Sequence, residues 1–600
     1  TSSFLKRDIF FDMSFRCEAI FAPLPKTERG KSLVFGADPK GKNILYVNGN
    51  SVIIRNLLDP RECDVYTEHS VSTTVAKYSP SGFYIASADS SGKVRIWDTT
   101  QKEHILKNSF QPFAGPVHDL AWSSDNTKIA VGGLGRSSFG AVFLADTGTS
   151  TGEILGMSKA VNAIDFKPTR PFRLITGSED TSLCFFEGPP FKFKTLINDH
   201  TNFCNCARYS PNGDVFATAG SDGKVFLYDG KTSEKKGEVG SPAHKGGIYS
   251  ICFSPDGKEL VTVSGDKTVK IFNVDDMTLA REFTFDNQVK NMQLGCIWQG
   301  DHILTCSFSG HLNLFSAAEL TSGPKAVYRG HNKPITSLRY QAQLGRLVTA
   351  CSDGGVTVWD PNTGLCTEVE GKGHSNQVQS MAVTEQQIVT VGIDDNLIVS
   401  QGDPFTYGEA QSLASQPRSV AAVDDLIVVA CIKELVVFEA GTLKSKLPVA
   451  GEEPSAVAIS PDKKFVVVGA GANAEGGLQV YEQSSGHLTP LSGAVKVKGQ
   501  VTDIEFSPSG GHVVASTSEK CVLLYTLEPA TGALTLAHNE IWQYHSARIS
   551  SIAWSPNGER IASGSLDCNI IVWSVTDPKK RILIKNAHPQ NLVVGLAWID

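Results

Sequence analysis

Apolar and polar positions along this chain alternate in short runs, as in KVRIW (93–97), KVFLY (224–228) and NIIVW (569–573). A period of two belongs to strands, because successive strand residues point to opposite faces of a sheet. The runs end alike, in an aromatic followed by a polar or small residue: Trp97-Asp98, Phe186-Glu187, Tyr228-Asp229, Phe272-Asn273, Phe315-Ser316, Trp359-Asp360, Phe438-Glu439, Tyr481-Glu482, Tyr525-Thr526 and Trp573-Ser574. Ala145-Asp146 and Ser400-Gln401 fill the two gaps in weaker form. Eleven steps lead from Trp97 to Trp573, about 43 residues each, and no helical repeat carries this punctuation.

A period of roughly 40 to 45 residues is that of a four-stranded WD-repeat blade. In many units an Asp lies six residues before the aromatic, at Asp180, Asp222, Asp266, Asp353 and Asp567, which places a polar tight turn ahead of the strand. Upstream stand the turns YSPSG (78–82), YSPNG (209–213), FSPDG (253–257), FSPSG (506–510) and WSPNG (554–558), where Pro fixes φ and Gly takes the left-handed position. A His opens several units: His69, His200, His244, His331, His374, His545 and His588. The pattern predicts a buried hydrogen-bonded network of His, turn Asp and strand Trp, with His69, His200, His331, Asp222, Asp353, Asp567, Trp97, Trp359 and Trp573 as its members.

At this period 600 residues hold about fourteen units, while one ring closes with about four to eight blades. The predicted fold is therefore all-β, two seven-bladed WD-repeat β-propellers in tandem. Residues 26–330 form the first propeller, 331–600 the second, and 1–17 an N-terminal extension. Blade one is expected from about Lys31 to Tyr66, and blade seven ends with Ala326 to Arg329, which leaves a strand at 18–25 unassigned. The last unit begins at His588 and has room for one strand before Asp600, so the last blade reads as truncated. On this reading 18–25 completes the second ring; the alternative is that it seals the first.

Composition removes several classes of function. Hydrophobic residues make up 41% and charged residues 20%, as in folded globular chains. The formal net charge is −7, with no Lys/Arg block, which argues against nucleic acid or an anionic membrane as partner. The longest apolar runs fall well short of the roughly 18 residues needed to cross a bilayer, and the N-terminus lacks a signal-peptide pattern. Thirteen cysteines without a CxxC pair read as thiols in a reducing compartment, the cytosol. No His/Cys/carboxylate cluster has metal spacing, so neither a metal nor another cofactor is expected. His, Asp and Ser/Thr recur together as in a catalytic triad, but an arrangement copied in many blades has a fold-level cause, and the chain is expected not to be an enzyme. The glycine-rich GGLGRSSFG (132–140) lacks the Gly-Lys-Ser/Thr of a phosphate loop and no helix follows, so it reads as a β-turn insertion.

One segment is unexplained by the repeat. Gly188-Pro189-Pro190 forces a rigid extended corner, after which Phe191-Lys192-Phe193-Lys194 alternates aromatic and cationic side chains on opposite faces. Directed inward, the phenylalanines are core; if the corner lifts one outward, it becomes a stiff apolar anchor of the kind that dominates interfaces. Phe203, just past His200, carries the same two readings, and Glu179 in the turn before Asp180 is expected to be exposed.

TEHSVSTTVAKYSPSG (67–82), VRIWDTT (94–100), FKPTRPFRLITGSED (166–180), FEGPPFKFK (186–194), QLGCIW (293–298) and the stretch from Trp542 to Trp573 resemble the actin-interacting protein 1 family, and the resemblance covers nearly the whole chain. FEGPPFKF is its most specific motif, since a generic WD protein has no need of it. The resemblance implies a monomeric cytoplasmic protein of the actin cytoskeleton whose partners are actin filaments and ADF/cofilin. It implies promotion of filament disassembly and capping of the barbed ends of cofilin-decorated filaments, with no enzymatic chemistry. Carried over by motif, the partner-binding surface on the first propeller points to Glu179, Phe193 and Phe203, with Lys192, Phe191 and Arg136 beside them. The loop holding Arg136 departs from the family's Gly-Glu-Gly-Arg, with Leu134 in place of the acidic residue, which weakens its electrostatic part. The competing class is a general WD-repeat scaffold or adaptor for protein complexes.

Overall fold

A computed structural model describes residues 17–136, 138–449, 453–471, 475–491, 493–538, 541–588 and 591–599. The expected extension at 1–17 lies outside the described residues except for Cys17. Two compact units are present, one of them Ala19–Asn332 and the other built on Lys333–Asp600. Among the described residues regular structure is strand throughout, apart from the single-turn helices Val289–Asn291, Leu320–Ser322 and Ala342–Leu344.

Ala19–Asn332 holds seven four-stranded antiparallel sheets, each formed by four successive strands of the chain. The first consists of Gly36–Ala37, Asn43–Asn48, Ser51–Asn56 and Cys63–Tyr66, and the last runs from Gln293–Gln299 to Ala326–Tyr328. Burial falls across a sheet: Val215–Gly220, a second strand, is buried at every position, whereas Lys192–Ile197, a fourth, is largely exposed. First strands pack against one another around an axis. Most carry a bulge, and the skipped residue reaches sideways: Asn205 Nδ2 donates to Ile248 O at 2.8 Å, and Asn162 Nδ2 to Cys204 O at 3.4 Å. The ring closes where Leu33 N donates to Leu294 O at 2.9 Å and the Tyr328 hydroxyl donates to Leu57 O at 2.8 Å.

The segment before this first sheet corrects an expectation. Residues 18–25 were expected to complete the second ring as a strand, yet Ala22 and Leu24 are buried against Leu33, Tyr46 and Tyr328 of the first. Tyr46 hydroxyl donates to Pro23 O at 2.7 Å, Asn48 Nδ2 to Leu24 O at 2.6 Å, and Leu24 N to His331 O at 2.8 Å. The cause is apolar: Ala22 and Leu24 cover the junction of the first and last sheets, and the segment makes no ladder of its own.

The unit built on Lys333–Asp600 holds six sheets among the described residues, two of them with a fifth strand, Gln411–Ser412 and Val495–Lys498. The seventh position is taken by the single segment 591–599. Ser550 Oγ, on the bulge of Ile549–Trp554, donates to Val593 O, just as Ser455 Oγ donates to Val501 O at 2.7 Å between neighbouring sheets. On its other side, a Cβ built on Gly595 would lie 3.0 Å from Leu338 Cβ in the first strand of the unit.

The buried network is present in both units. His69 Nδ1 lies 3.0 Å from Asp89, its Nε2 lies 2.7 Å from Ser87 Oγ, and Trp97 Nε1 donates to the same Oγ at 3.0 Å. His545, Asp567, Ser563 and Trp573 repeat it at 3.0, 2.8 and 2.8 Å. His200, His244 and His374 pair with Asp222, Asp266 and Asp394 in blades without a Trp. In the blade opened by the buried His331, Trp359 Nε1 donates to Thr349 Oγ1 at 2.7 Å, but Asp353, expected as a buried member, is exposed in its turn and accepts from Gly355 N at 3.2 Å. Burial pushes the Asp222, Asp394 and Asp567 carboxyls up, but hydrogen bonds from the partner His and from turn N–H groups outweigh it and hold all three below the usual carboxylate range.

Candidate functional site: an aromatic surface on the first propeller

The connector 154–160 joins Ser150–Glu153, the outer strand of the third sheet, to Val161–Phe166, the first strand of the fourth. In other blades a His stands 18 residues before the network hydroxyl, as in His200 and Thr218. Here Thr176 is preceded at that distance by Ser158, and the network is rewired. Ser158 N and Oγ donate to Asp180 Oδ2 at 2.6 and 3.1 Å, and Ser182 N donates to Asp180 Oδ1 at 3.0 Å. Burial raises the Asp180 carboxyl, but the Ser182 hydroxyl and the Ser158 and Ser182 N–H groups outweigh it and leave the group below its ordinary value. Glu179 N donates to Ala160 O at 3.0 Å, so the turn bearing Glu179 is docked on the connector.

The same connector reaches both aromatic candidates. Gly156 has φ +101°, and a Cβ there would lie 2.8 Å from the Phe193 ring and 3.1 Å from Cys184 Sγ, so only glycine lets the chain pass so close in this conformation. Lys159 Nζ stands 5.7 Å from the centre of the Phe203 ring, within cation–π range. One short loop therefore touches Phe193, Phe203 and the Glu179 turn. Phe193 is 44% exposed and Phe203 42%, with Phe193 held edge-on by Phe186 at 6.1 Å. Glu179 is half-buried, and Lys192 is exposed.

Phe191 corrects the expectation of a partner-facing side chain. It is 3% exposed, packs on Phe166 at 5.4 Å, and its N–H donates to Thr151 O at 2.8 Å. The expected alternation of aromatic and cationic faces fails as well, because Lys192, Phe193 and Lys194 are all exposed. Phe191 lies ahead of the strand and bridges Gly152, while Lys192–Ile197 is a solvated edge strand on which a bulge, with Phe185 paired to Thr195 but Phe186 to Phe193, skips Lys194. Lys194 Nζ pairs with Glu187, which also meets Arg173 Nη2 at 3.0 Å, and the Lys194 ammonium holds the Glu187 carboxyl low.

Arg136 is exposed in the glycine-rich loop, and among the described residues no hydrogen bond or ion pair ties it to the connector. The glycines of this loop have a packing cause, since a Cβ on Gly135 would lie 2.0 Å from Ser138 O. Phe139 of this loop and Met157 of the connector pack on the same core cluster as Phe191. Near the axis His118 Nδ1 lies 3.2 Å from Asn162 Oδ1; burial pushes the imidazole below its ordinary value, with the Asn162 bond and the Glu179 charge opposing.

Several surface residues escaped the sequence reading: Leu155 in the connector, Leu196 on the Phe193 strand, Lys159 under Phe203, and the Ser158–Asp180 link. Exposed aromatics flanked by charges can hold a macromolecular partner but supply no acid, base or nucleophile pair. Among the described residues no group of three or more His, Cys, Asp or Glu is placed to hold a metal, and no helix is long and apolar enough to cross a membrane.

Repeat, sheets and network together define a WD-repeat β-propeller protein, and the family described as WD domain, G-beta repeat matches residues 61–98, 148–187, 191–229, 238–273, 322–360 and 538–574. Actin-interacting protein 1 of Drosophila melanogaster is 48% identical over 97% of this chain and 94% of its own length. WD repeat-containing protein 1 of Gallus gallus is 44% identical over 98% of this chain and 96% of its own length, and that of Mus musculus 43% over 98% and 97%. This chain belongs to the actin-interacting protein 1 family, which includes the vertebrate WD repeat-containing protein 1.

Proposed function

We propose that this chain binds actin filaments and, together with ADF/cofilin, promotes their disassembly and caps the barbed ends of cofilin-decorated filaments. It acts in the cytoplasm, on the actin cytoskeleton, as a monomer and by binding alone. The observation that carries this reading is 48% identity over nearly full length to a protein named for its interaction with actin. The connector surface supports the location: Phe193 and Phe203 are apolar anchors on a rigid sheet framework, rimmed by Lys159, Lys192 and Glu179. Large aromatics in such settings contribute most of the affinity of many interfaces. Without hydrolysis, disassembly follows from tighter binding to the cofilin-altered state of the filament, which shifts its population.

The test is pelleting of pre-formed actin filaments with the purified chain, with and without cofilin. Transfer of actin to the supernatant only when both are present is expected. Unchanged pelleting in both arms with a folded protein removes the reading and leaves a general WD-repeat scaffold.

A further inference from the structure

The axis of the second propeller is a cavity of about 450 Å³ lined by the first strands of its sheets. At about 30 Å³ per water it has room for about fifteen waters, or for a small organic molecule. Three arginines from three blades enter it: Arg548 just ahead of Ile549–Trp554, Arg418 at the bulge of Pro417–Val423, and Arg339 beyond the bulge of Ile335–Gln341. They therefore stand at successive depths along the channel.

Their charge is only partly matched by the protein, with Arg339 acting on Asp503 and Glu505 without a direct ion pair. Among the described residues the one carboxylate oxygen within 4.0 Å of the Arg418 guanidinium is Glu453 Oε2, at 4.0 Å. Among the described residues no carboxylate lies within 4.0 Å of the Arg339 or Arg548 nitrogens. Asp503, the other acidic residue of the lining, is turned to the backbone: Oδ1 accepts from Ile504 N at 3.0 Å and Oδ2 from Ile552 N at 3.1 Å. The hydroxyl of Thr336 donates into its own blade, at 3.3 Å to Ala350 O, and that of Ser455 across the seam, at 2.7 Å to Val501 O, which leaves their oxygens as acceptors toward the cavity. In the first propeller the equivalent charges are matched directly, with Asp119 held by Lys77 at 2.8 Å and Arg208 at 2.7 Å.

Guanidinium groups present forked donors that fit phosphate oxygens bidentately. We infer that the axial channel of the second propeller binds a small molecule carrying two or more phosphate groups, held by Arg339, Arg418 and Arg548. Its phosphates take the guanidiniums and the Gln379 amide, and any hydroxyls donate to the Ser and Thr oxygens of the wall. A linear polyphosphate and a phosphorylated polyol share this chemistry.

The test is calorimetric titration of the full chain, at about 150 mM salt so that diffuse attraction is screened, with sodium tripolyphosphate and with inositol trisphosphate. Saturable one-to-one binding of at least one is expected, and which one binds tells a chain of phosphates from a phosphorylated ring. Arg418→Gln and Arg548→Gln should each weaken it by about tenfold or more, the scale of a lost charge-assisted hydrogen bond. Both side chains are partly exposed, so these variants should fold. Gln379→Glu, which adds a negative charge to the wall without removing an arginine, should abolish binding. Lys446→Gln, on the outer strand Thr442–Pro448, should leave it unchanged. The inference is overturned by absence of saturable binding up to about 1 mM of either compound, or by equal weakening in Lys446→Gln.

Discussion

At the axis of the first propeller, a buried Asp119 is held between Lys77 and Arg208, and Asp165 accepts the Tyr209 N–H at 2.8 Å. At the axis of the second, Arg339, Arg418 and Arg548 line an open channel, and a half-buried Glu505 accepts the Trp554 N–H at 2.9 Å. The carboxyls behave differently. Burial pushes Asp119 up, but Arg208 and Lys77 outweigh it and keep the group below its ordinary range. Burial pushes Glu505 up to about 8, aided by Asp503 and opposed by Arg339 and the Trp554 N–H. Both rings are built from one repeat, which dictates the sheets, the turns and the His networks but not what faces the axis. Axial side chains are thus the positions at which two copies of one architecture diverge, toward internal neutralisation in one ring and toward a ligand in the other.

Four experiments break or sharpen this contrast. The largest effect is expected from Asp119→Ala, which strands two cations in a buried site and should cost about 3–5 kcal/mol, seen as lost amide protection within Ala19–Asn332. Arg418→Gln should change stability by less than about 1 kcal/mol; similar costs for the two variants would mean that charge matching does not separate the axes.

Glu505→Gln should stabilise the second propeller in a pH-dependent way. The unfolded chain ionises this group near 4.5, whereas the folded carboxyl stays protonated to about 8. Between those values the unfolded state binds fewer protons, so the wild-type ring loses stability as pH rises through the window. The gain from the substitution should be absent near pH 4 and grow by about 1.4 kcal/mol per pH unit, to about 3 kcal/mol at pH 7. Denaturant melts across pH measure it, and a pH-independent difference would contradict the protonated carboxyl.

Asp567→Asn, in the network common to both rings, should cost about 1–2 kcal/mol at pH 7. The native carboxyl is held below its unfolded value, so its contribution is present above about pH 4 and fades as pH falls further; the cost of the substitution should shrink in acid. The smallest change in stability, under about 1 kcal/mol, is expected for Phe193→Ala and Phe203→Ala, whose rings are already partly solvated. Their effect should fall on filament disassembly instead.

The sequence showed most of the architecture because WD landmarks are local: an aromatic ending a strand, a turn Asp, a Ser-Pro turn and a His at fixed offsets each have a nearby physical cause. It hid whatever depends on a shift of register. Asp89 serves His69 from 20 residues away, where Asp222 serves His200 from 22, so a fixed offset from the aromatic passes over it. Phe191 stands just ahead of the strand Lys192–Ile197 and bridges Gly152 of the preceding sheet, whereas Phe193 lies on the strand itself, a difference that alternation alone does not show. Ala22 and Leu24 pack by shape across a seam, which no period records. Phe193, Phe203 and Glu179 were legible as candidates, but the loop uniting them was not, even though the chain marks it by placing Ser158 where other blades carry His. Axial arginines left no trace, since bulged inner strands share no pattern for the residue that faces the channel.

The most direct test is filament pelleting with cofilin present, comparing the wild-type chain, the Phe193→Ala/Phe203→Ala double variant and the Arg418→Gln/Arg548→Gln double variant, each confirmed folded by its melt. Release of actin to the supernatant should persist in the arginine variant and be lost in the phenylalanine variant. Full release by the phenylalanine variant would contradict the placement of the filament-binding surface on the connector of the first propeller.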